Sequence, residues 1–226
     1  MGLIGGGAVC IWHDLLPDAI EDFYEWHNRE HMPERIGIPG FRRGRRYIAL
    51  SGAPQFFNLY EVDDVAVLGG ADYLARLNAP TPWTQRVVPS FRNVARALCS
   101  VAFSTGIGEG GVLSTLRFDV PAAQRDRIVD VLRRQTLPPL ALRKGIAGVH
   151  LCVADERISN VETAERKARA GATDVPAWIA LIEGTSEAGV ESAAKVLAGE
   201  LDGAMTAMPA CVRAVYALQH TRSDSD

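Results

Sequence analysis

Two short apolar runs, FFNLYEV at residues 56–62 and AWIALIE at residues 177–183, decide the fold that this sequence predicts. Each run has the length and the content of aromatic and β-branched residues that are typical of a buried strand. Similar turns precede them, IPGF at residues 38–41 and IAGV at residues 146–149, and each turn leads into a further strand. A repeat of roughly 105 residues is too long for a solenoid and indicates a duplicated domain.

The order β-α-β-β-α-β is predicted in each half of the chain from apolar periodicity and turn residues. The elements of the first half are a strand at 8–13, a helix from Pro17 that ends at Met32-Pro33, a strand from Phe41 to Leu50, a strand at 56–62, a helix from Asp63 to Leu77 and a strand at 94–104. Those of the second half are a strand at 112–118, a helix from Pro121 to Arg134, a strand from Ile146, a polar insertion at 155–174, a strand at 177–183, a helix from Ser186 to Ala198 and a strand at 211–218.

The predicted domain boundaries follow from this repeat. They are a ferredoxin-like repeat at residues 1–105, a glycine-rich linker at 106–111, a second ferredoxin-like repeat at 112–220 and a disordered tail at 221–226. A split β-α-β-β-α-β unit forms an antiparallel sheet with both helices on one face, which leaves the other face bare. We therefore expect an α+β fold in which the two antiparallel sheets pack as a barrel, closed either within one chain or between two.

The composition is that of an ordinary globular protein and excludes several classes of function. Apolar residues make up 47% and charged residues 23% of the 226 residues, and the formal net charge is −3. This balance gives no basic footprint for nucleic acid or an anionic membrane. No leader or spanning segment is visible, so we expect a cytoplasmic protein. The cysteines lack CxxC spacing and are predicted to be small buried core residues, namely Cys10, Cys99, Cys152 and Cys211.

The sequence HNREH at residues 27–31 places two histidines on one face of a helix, because residues four apart are neighbours there. The same face carries Phe23, so it should lie against the sheet. Buried imidazole nitrogens need polar partners, and a pocket between helix and sheet would explain two of them. We expect His31 to be a general acid or base, with His27 and Tyr60 as positioning groups. The alternative is that both histidines are structural residues near the helix end that bond Tyr60 or loop carbonyls.

Four further side chains are expected to contact the substrate, namely His13, Phe23, Tyr24 and Arg46. His13 ends the first strand, so it faces either the same pocket or the solvent at the end of the strand. Arg46 belongs to a basic run, residues 42–46, that could bind a carboxylate or phosphate but more commonly protects a solvated strand edge. His150 is expected to be a buried structural residue.

The run FYEWHNREHMPE at residues 23–34, followed by PGF at 39–41 and RRY at 45–47, resembles the dimeric α+β barrel superfamily. It is most similar to the EthD-like and stress-responsive barrel proteins. The resemblance is good over residues 8–104, whereas over residues 112–218 only the order of the elements and the Ala-Gly turn agree.

This resemblance implies self-association as a homodimer. It also implies a superfamily that includes cofactor-free monooxygenases, decarboxylases, isomerases and proteins without a known role, so the fold alone does not determine the function. The second half has LPP at residues 137–139 where the first has HMP at residues 31–33. Any histidine-dependent chemistry is therefore expected in the first half.

The leading functional hypothesis is a small EthD-like enzyme, without cofactor or metal, that acts on a hydrophobic or aromatic carbonyl-bearing molecule. One alternative is a non-catalytic small-molecule-binding or stress-associated barrel. A second is a metal-dependent enzyme using His27 and His31, because HNREH also matches the H-x-x-E-H zinc pattern. That pattern requires a longer helix than one ending at Met32-Pro33.

Overall fold

A computed structural model describes residues 2–205 and 211–224, and within them the strands form a closed antiparallel barrel. The strands are β1 (Gly7–Leu15), β2 (Phe41–Ser51), β3 (Phe56–Val62), β4 (Phe91–Gly106), β5 (Val112–Phe118), β6 (Ile146–Ala154), β7 (Trp178–Gly184) and β8 (Val212–Ser223). Their order around the barrel is β1-β3-β2-β8-β5-β7-β6-β4, and β4 pairs with β1. The predicted α+β barrel fold is thus confirmed.

Helices cover the outer face of the barrel in both halves. Those of the first half are α1 (Ile20–Trp26), a π turn (His27–His31), α2 (Met32–Ile36), α3 (Ala71–Asn78) and α4 (Pro82–Val87), with 3-10 turns at Pro17–Ala19, Val65–Gly69 and Val88–Ser90. Those of the second half are a 3-10 turn (Ala122–Gln124), α5 (Arg125–Val131), a π turn (Leu132–Thr136), α6 (Leu137–Ala141), α7 (Glu156–Ser159), α8 (Ala164–Ala168) and α9 (Glu187–Ala204). Within the described residues, no helix combines the length and the apolarity needed to cross a membrane.

The barrel closes within one chain. The two halves meet where β2 pairs with β8 and where β4 pairs with β6. Because these pairings satisfy the outer strands of both sheets, closure does not require a second copy. The homodimer stays a prediction, which the mass of the protein in solution would test, and so does the division of the chain into two repeats and a linker.

Alternation along each strand separates the barrel interior from the helical layer. Side chains such as Cys10, Trp12, Phe57 and Tyr216 form one core inside the barrel. The residues between them on the strands pack under the helices, in two clusters of the first half and one of the second. Cys10, Cys99 and Cys152 are buried, as predicted, whereas Cys211 is only half-buried. All four are free thiols.

The barrel interior also holds a network of ion pairs. Nη1 and Nη2 of the fully buried Arg45 each lie 3.0 Å from an oxygen of Glu183. The same guanidinium lies 3.0 Å from Glu61, which also accepts from Arg43 at 2.8 and 2.9 Å. His150 is buried here, 3.3 Å from Glu183, as predicted. Each buried ion has lost its hydrating water, so the pair is stable only if the two charged groups have good hydrogen-bond geometry.

The expectation that residues 42–46 protect a solvated edge is wrong for most of the run. Strand β2 is paired on both sides, so Arg43, Arg45 and Arg46 are buried. Only the side chain of Arg42 is well exposed, and it bonds Asp63 and Asp224.

The prediction that the first helix ends at Met32-Pro33 is wrong, because the helix continues to Ile36. Proline lacks the N–H that would bond the carbonyl four residues back, and its ring clashes with that carbonyl. The helix accommodates this by widening into the π turn, in which the N–H of Met32 donates to the carbonyl of His27, five residues back. Gly37 then ends the helix.

Other boundaries also differ from the prediction. The helix expected from Asp63 to Leu77 is divided, because Asp64 caps a short 3-10 turn and the Gly69-Gly70 pair separates it from α3. The tail expected to be disordered from Thr221 is part of β8 as far as Ser223. Asp224 follows in an ion pair, and residues 225–226 lie outside the described residues.

Candidate functional site

The π turn of the first half places His27 and His31 against the outer face of the sheet. Their rings are 5.6 Å apart between centroids, and the residues are 2% and 7% exposed. Residues four apart lie on one face of a helix, and single π turns occur often at functional sites. The spacing of the two histidines within this turn therefore brings the imidazoles together.

His27 has both ring nitrogens in hydrogen bonds. Its Nδ1 lies 3.2 Å from Nη1 of Arg46, and its Nε2 lies 3.2 Å from the hydroxyl of Tyr60. Burial, His31 and Arg46 hold the pKa of His27 well below its usual value, so the ring is neutral. Because a guanidinium can only donate, Nδ1 accepts and Nε2 carries the proton. Nε2 then donates to Tyr60, whose own hydroxyl hydrogen is free for another acceptor.

Arg46 is a buried cation whose partners in the described part of the chain are neutral. Nη1 donates to Oδ1 of Asn28 at 2.7 Å, and Nε donates to Gln219 at 3.3 Å. The guanidinium also lies over the ring of Tyr24, 4.7 Å from its centroid. Burial lowers the pKa of Arg46, as expected for a cation removed from water without a carboxylate beside it.

His31 is the histidine of this site that has an unused nitrogen. Its Nδ1 is buried and has no hydrogen-bond partner among the described residues. The ring lies 4.2 Å from that of Trp26, and burial with Arg35 and Arg169 lowers its pKa well below the usual value. A buried polar atom without a partner costs free energy, so its persistence suggests a role in binding or chemistry.

His13 also lies between the outer face of the sheet and the helices. It is fully buried, so it does not mark a solvent-exposed strand end. Its ring stacks on Phe91 at 4.2 Å and lies 5.2 Å from Phe23. Nε2 is 3.0 Å from Nδ2 of Asn58, whose Oδ1 is buried without a partner. Burial lowers the pKa of His13 to about 3. The ring is therefore a neutral part of the aromatic enclosure.

A space lies above the centre of this sheet. Ile11 stands between Arg96 and Asn58 in the strand ladders and faces the helical layer. Although its strand is paired on both sides, Ile11 remains partly accessible. That requires a gap between sheet and helices on the face that carries His13. The described cavities, of about 120 to 680 Å³, are lined by other residues.

The insertion at residues 155–174 covers this layer from the second half of the chain. It is fastened to β4 by a backbone bond of 2.8 Å from Arg96 to Asp174 and by the hydroxyl of Ser159, which accepts from the N–H of Leu98 at 2.9 Å. Asn78 of α3 accepts from the N–H of Ala164 at 3.1 Å. The site is thus formed by the first half and closed by the second.

Helix α8 and its end bring charged groups to the same place. Glu165 is buried between Arg35 and Arg169, with an oxygen 2.9 Å from Nη2 of Arg169. Arg96 donates to the hydroxyl of Tyr73 at 2.8 Å. These groups escaped the sequence analysis, although Arg35 follows His31 by four residues and shares its helix face. Glu165 and Arg169, which the insertion contributes, belong to no sequence pattern that would predict their burial.

The residues present do not fit a metal centre. Within residues 2–205 and 211–224, no group of three or more His, Cys, Asp or Glu side chains is placed to hold a metal ion. Nδ1 of His27 already accepts from Arg46, whose positive charge would oppose a cation there. We therefore assign no step to a metal.

The second half repeats the π turn without the histidines. Leu132 and Thr136 begin and end it, at the places that His27 and His31 take in the first half. Leu132 packs in an apolar core with Trp178. Both halves thus share a backbone feature that only the first combines with histidines.

No protein-family model matches the chain, and no curated protein matches it in sequence. Among solved structures, an anthrone oxidase-like protein is similar with a TM-score of 0.64 and 13% identity, over 97% of this chain and 93% of that chain. A protein from Fusobacterium nucleatum subsp. nucleatum, provisionally named a monooxygenase, has a TM-score of 0.61 and 9% identity, over 97% and 95%. A ferredoxin-fold protein from Listeria monocytogenes, related to antibiotic biosynthesis monooxygenases, has a TM-score of 0.52 and 13% identity, over 96% and 97%. At these identities the likeness shows the fold alone, and the chain is similar to these proteins as a ferredoxin-fold α+β barrel.

Proposed function

We propose that the chain is a small cofactor-independent enzyme that acts on a hydrophobic or aromatic molecule bearing a carbonyl group. Its reaction is of the oxygenase, decarboxylase or isomerase type of EthD-like barrel proteins. The observation that carries the proposal is the buried Nδ1 of His31, which has no hydrogen-bond partner among the described residues and lies beside Trp26. A neutral imidazole held in this way can accept a proton from a substrate.

The chemistry common to these reaction types is removal or return of a proton beside a carbonyl. Nδ1 of His31 accepts a proton from an acidic carbon of the substrate, and the electron pair of the broken C–H bond moves to the carbonyl oxygen. The low pKa of His31 makes it a weak base, so we expect substrates with an unusually acidic C–H bond, such as a CH2 between aromatic rings that are conjugated with the carbonyl group. The resulting enolate is the species that could react with oxygen or be protonated elsewhere.

Tyr60 supports this step by donating to the developing oxyanion. Its hydroxyl accepts from Nε2 of His27, which directs the remaining hydrogen toward the substrate side. Burial raises the pKa of Tyr60, so the hydroxyl keeps its proton. Arg46 fixes the tautomer of His27 and adds a positive charge to the layer. Donors already oriented before the reaction stabilise a charge that forms in it.

The aromatic enclosure supports the choice of substrate. Phe23 and Phe91 stand 5.9 Å apart between ring centroids and flank His13. Flat apolar rings bury area well against aromatic side chains, and a single polar group then fixes their orientation.

The experiment uses anthrone as the probe, because it joins a carbonyl group to an acidic CH2 in an aromatic frame. We expect the protein to accelerate both hydrogen–deuterium exchange at that CH2 and the uptake of one O2 per anthrone converted to anthraquinone and water. His31→Ala should reduce both rates at least ~100-fold. The matched control is Thr136→Ala, which alters the same π-turn position in the second half. Equal rates in His31→Ala and the parent protein would contradict the assignment.

The non-catalytic binding barrel is the second candidate, and the low pKa of all three neighbouring histidines favours it. A weak base removes a proton slowly when the substrate is not acidic. Saturable binding of anthrone without deuterium exchange would support this candidate over the enzyme.

A further inference from the structure

The site has an excess of buried positive charge. Within the described residues four buried guanidinium groups surround it, those of Arg35, Arg46, Arg96 and Arg169. Against them stand the buried carboxylate of Glu165 and the side chain of Glu34, which is 15% exposed. Removing a cation from water without an anion is costly. An anion from outside the chain would offset this cost.

Arg169 is only half paired. Glu165 accepts from Nη2 of Arg169, but its other oxygen is engaged by Arg35. The side chain of Arg169 is only 5% exposed, and its Nε is buried without a hydrogen-bond partner among the described residues. A guanidinium presents parallel N–H groups that match the two oxygens of a carboxylate. Arg169 therefore retains donor capacity for a second anion.

Arg96 is the neighbouring cation on the sheet. In the described part of the chain, the guanidinium of Arg96 has one hydrogen-bond partner, the neutral hydroxyl of Tyr73. The residue pairs with Ile11 in the ladder, and Ile11 is the apolar side chain that remains partly accessible. Arg96 lies near Arg169, since burial and then the positive charge of Arg96 lower the pKa of Arg169. The insertion that carries Arg169 is also bonded through Asp174 to the backbone of Arg96.

We propose that the substrate of this site carries a carboxylate, which Arg169 binds with Arg96 while the apolar body of the molecule lies beside Ile11 and His31. The proposal rests on the proposed function for the place of the reaction. It adds that charge recognition is supplied by the insertion at 155–174 and the chemistry by the π turn. Arg169 is then a specificity-determining residue contributed by the second half.

The test compares 2-naphthoate with 2-naphthamide, which has the same shape and no charge. Titration calorimetry of the full chain should show binding of 2-naphthoate and at least ~10-fold weaker binding of 2-naphthamide. Arg169→Gln should weaken 2-naphthoate at least ~10-fold and leave 2-naphthamide unchanged. The matched control is Lys167→Gln, which removes an exposed positive charge from the same segment and should leave both affinities as they are.

Arg169→Lys covers the possibility that Arg169→Gln fails to fold, since it keeps the charge and loses the planar fork. It should bind 2-naphthoate more weakly than the parent chain does. Equal affinity of the parent chain for the acid and the amide, no binding of the acid, or equal effects of Arg169→Gln and Lys167→Gln would each overturn the proposal.

These outcomes are separable from failure of the proposed function. Carboxylate binding that depends on Arg169, without deuterium exchange in any probe, would refute the enzyme and keep the anion site. Exchange in anthrone with no preference for 2-naphthoate over its amide would keep the enzyme and refute the anion site.

Discussion

The hydroxyl of Tyr60 lies 3.2 Å from Nε2 of His27, and this hydrogen bond links the floor of the site on β3 to the π turn above it. Tyr60→Phe removes the proposed oxyanion donor. We expect kcat/KM for anthrone to fall ~100- to 1000-fold. The free energy of unfolding should fall by only about 1–2 kcal/mol, the cost of leaving Nε2–H of His27 without an acceptor.

Tyr47→Phe is the matched control for this prediction. Tyr47 is also buried on a barrel strand, but its hydroxyl has no partner among the described residues. Removing it should leave activity unchanged and stability unchanged or slightly higher. If both variants lose activity equally, the oxyanion role of Tyr60 is wrong.

Stability should fall steeply below pH 6.5. His13, His27 and His31 are buried neutral, with pKa values below the usual 6.5. The unfolded chain binds protons at these rings as the pH drops through 6.5, whereas the folded chain does not. Each ring therefore contributes nothing to destabilisation above pH 6.5 and about 1.4 kcal/mol per pH unit below it, until its folded pKa is reached. Urea unfolding at pH 7.5, 6.5, 5.5 and 4.5 measures this slope.

His13→Gln isolates one ring, because glutamine can still bond Asn58 but does not titrate. The slope below pH 6.5 should decrease by about 1.4 kcal/mol per pH unit. An unchanged slope would mean that His13 is protonated in the folded chain.

Pro33→Ala tests whether the π turn positions His31. Alanine restores an N–H that can bond the carbonyl of Arg29, so the helix can return to α geometry. We expect unfolding free energy to be maintained or raised while anthrone exchange falls at least ~10-fold, because the ring of His31 turns away from the sheet. Pro138→Ala makes the equivalent change in the second half and should leave exchange unaltered. Full activity of Pro33→Ala would show that the π turn is not needed.

Arg45→Met tests the ion pairs inside the barrel. It leaves Glu61 and Glu183 buried with less compensation, and loss of one partner of a buried pair costs about 3–5 kcal/mol. Arg42→Met removes two exposed ion pairs from the same strand and should change the urea midpoint little. A small effect of Arg45→Met would indicate that water reaches the barrel interior.

Much of the fold could be predicted because the apolar runs are local signals. FFNLYEV at residues 56–62 forms β3 as expected, and its alternation also places Asn58 and Tyr60 on one face. The continuation of the helix past Pro33 could not be predicted, since whether proline ends a helix or widens it depends on what packs around it. The burial of residues 43–46 followed from the pairing of β2 with β8, which is a contact between distant parts of the chain.

The candidate site was predictable only in its first half. Spacing places His27 and His31 on one helix face, and Tyr60 follows from strand alternation. Glu165 and Arg169 lie in a polar insertion whose composition is equally typical of an exposed loop. Their burial depends on docking against α3 and β4, more than 60 residues away in sequence, as shown by the bond between Leu98 and Ser159 with a separation of 61.

Closure of the barrel inside one chain releases its two halves from symmetry. In a barrel made of identical subunits, each substitution occurs in every subunit, so the reactive turn and the segment that covers it cannot change independently. Here the two π turns carry different residues, His27 and His31 in one and Leu132 and Thr136 in the other. One half can thus diversify as a cover for the other, and the range of molecules admitted can evolve through residues 155–174 while the reactive histidines stay as they are.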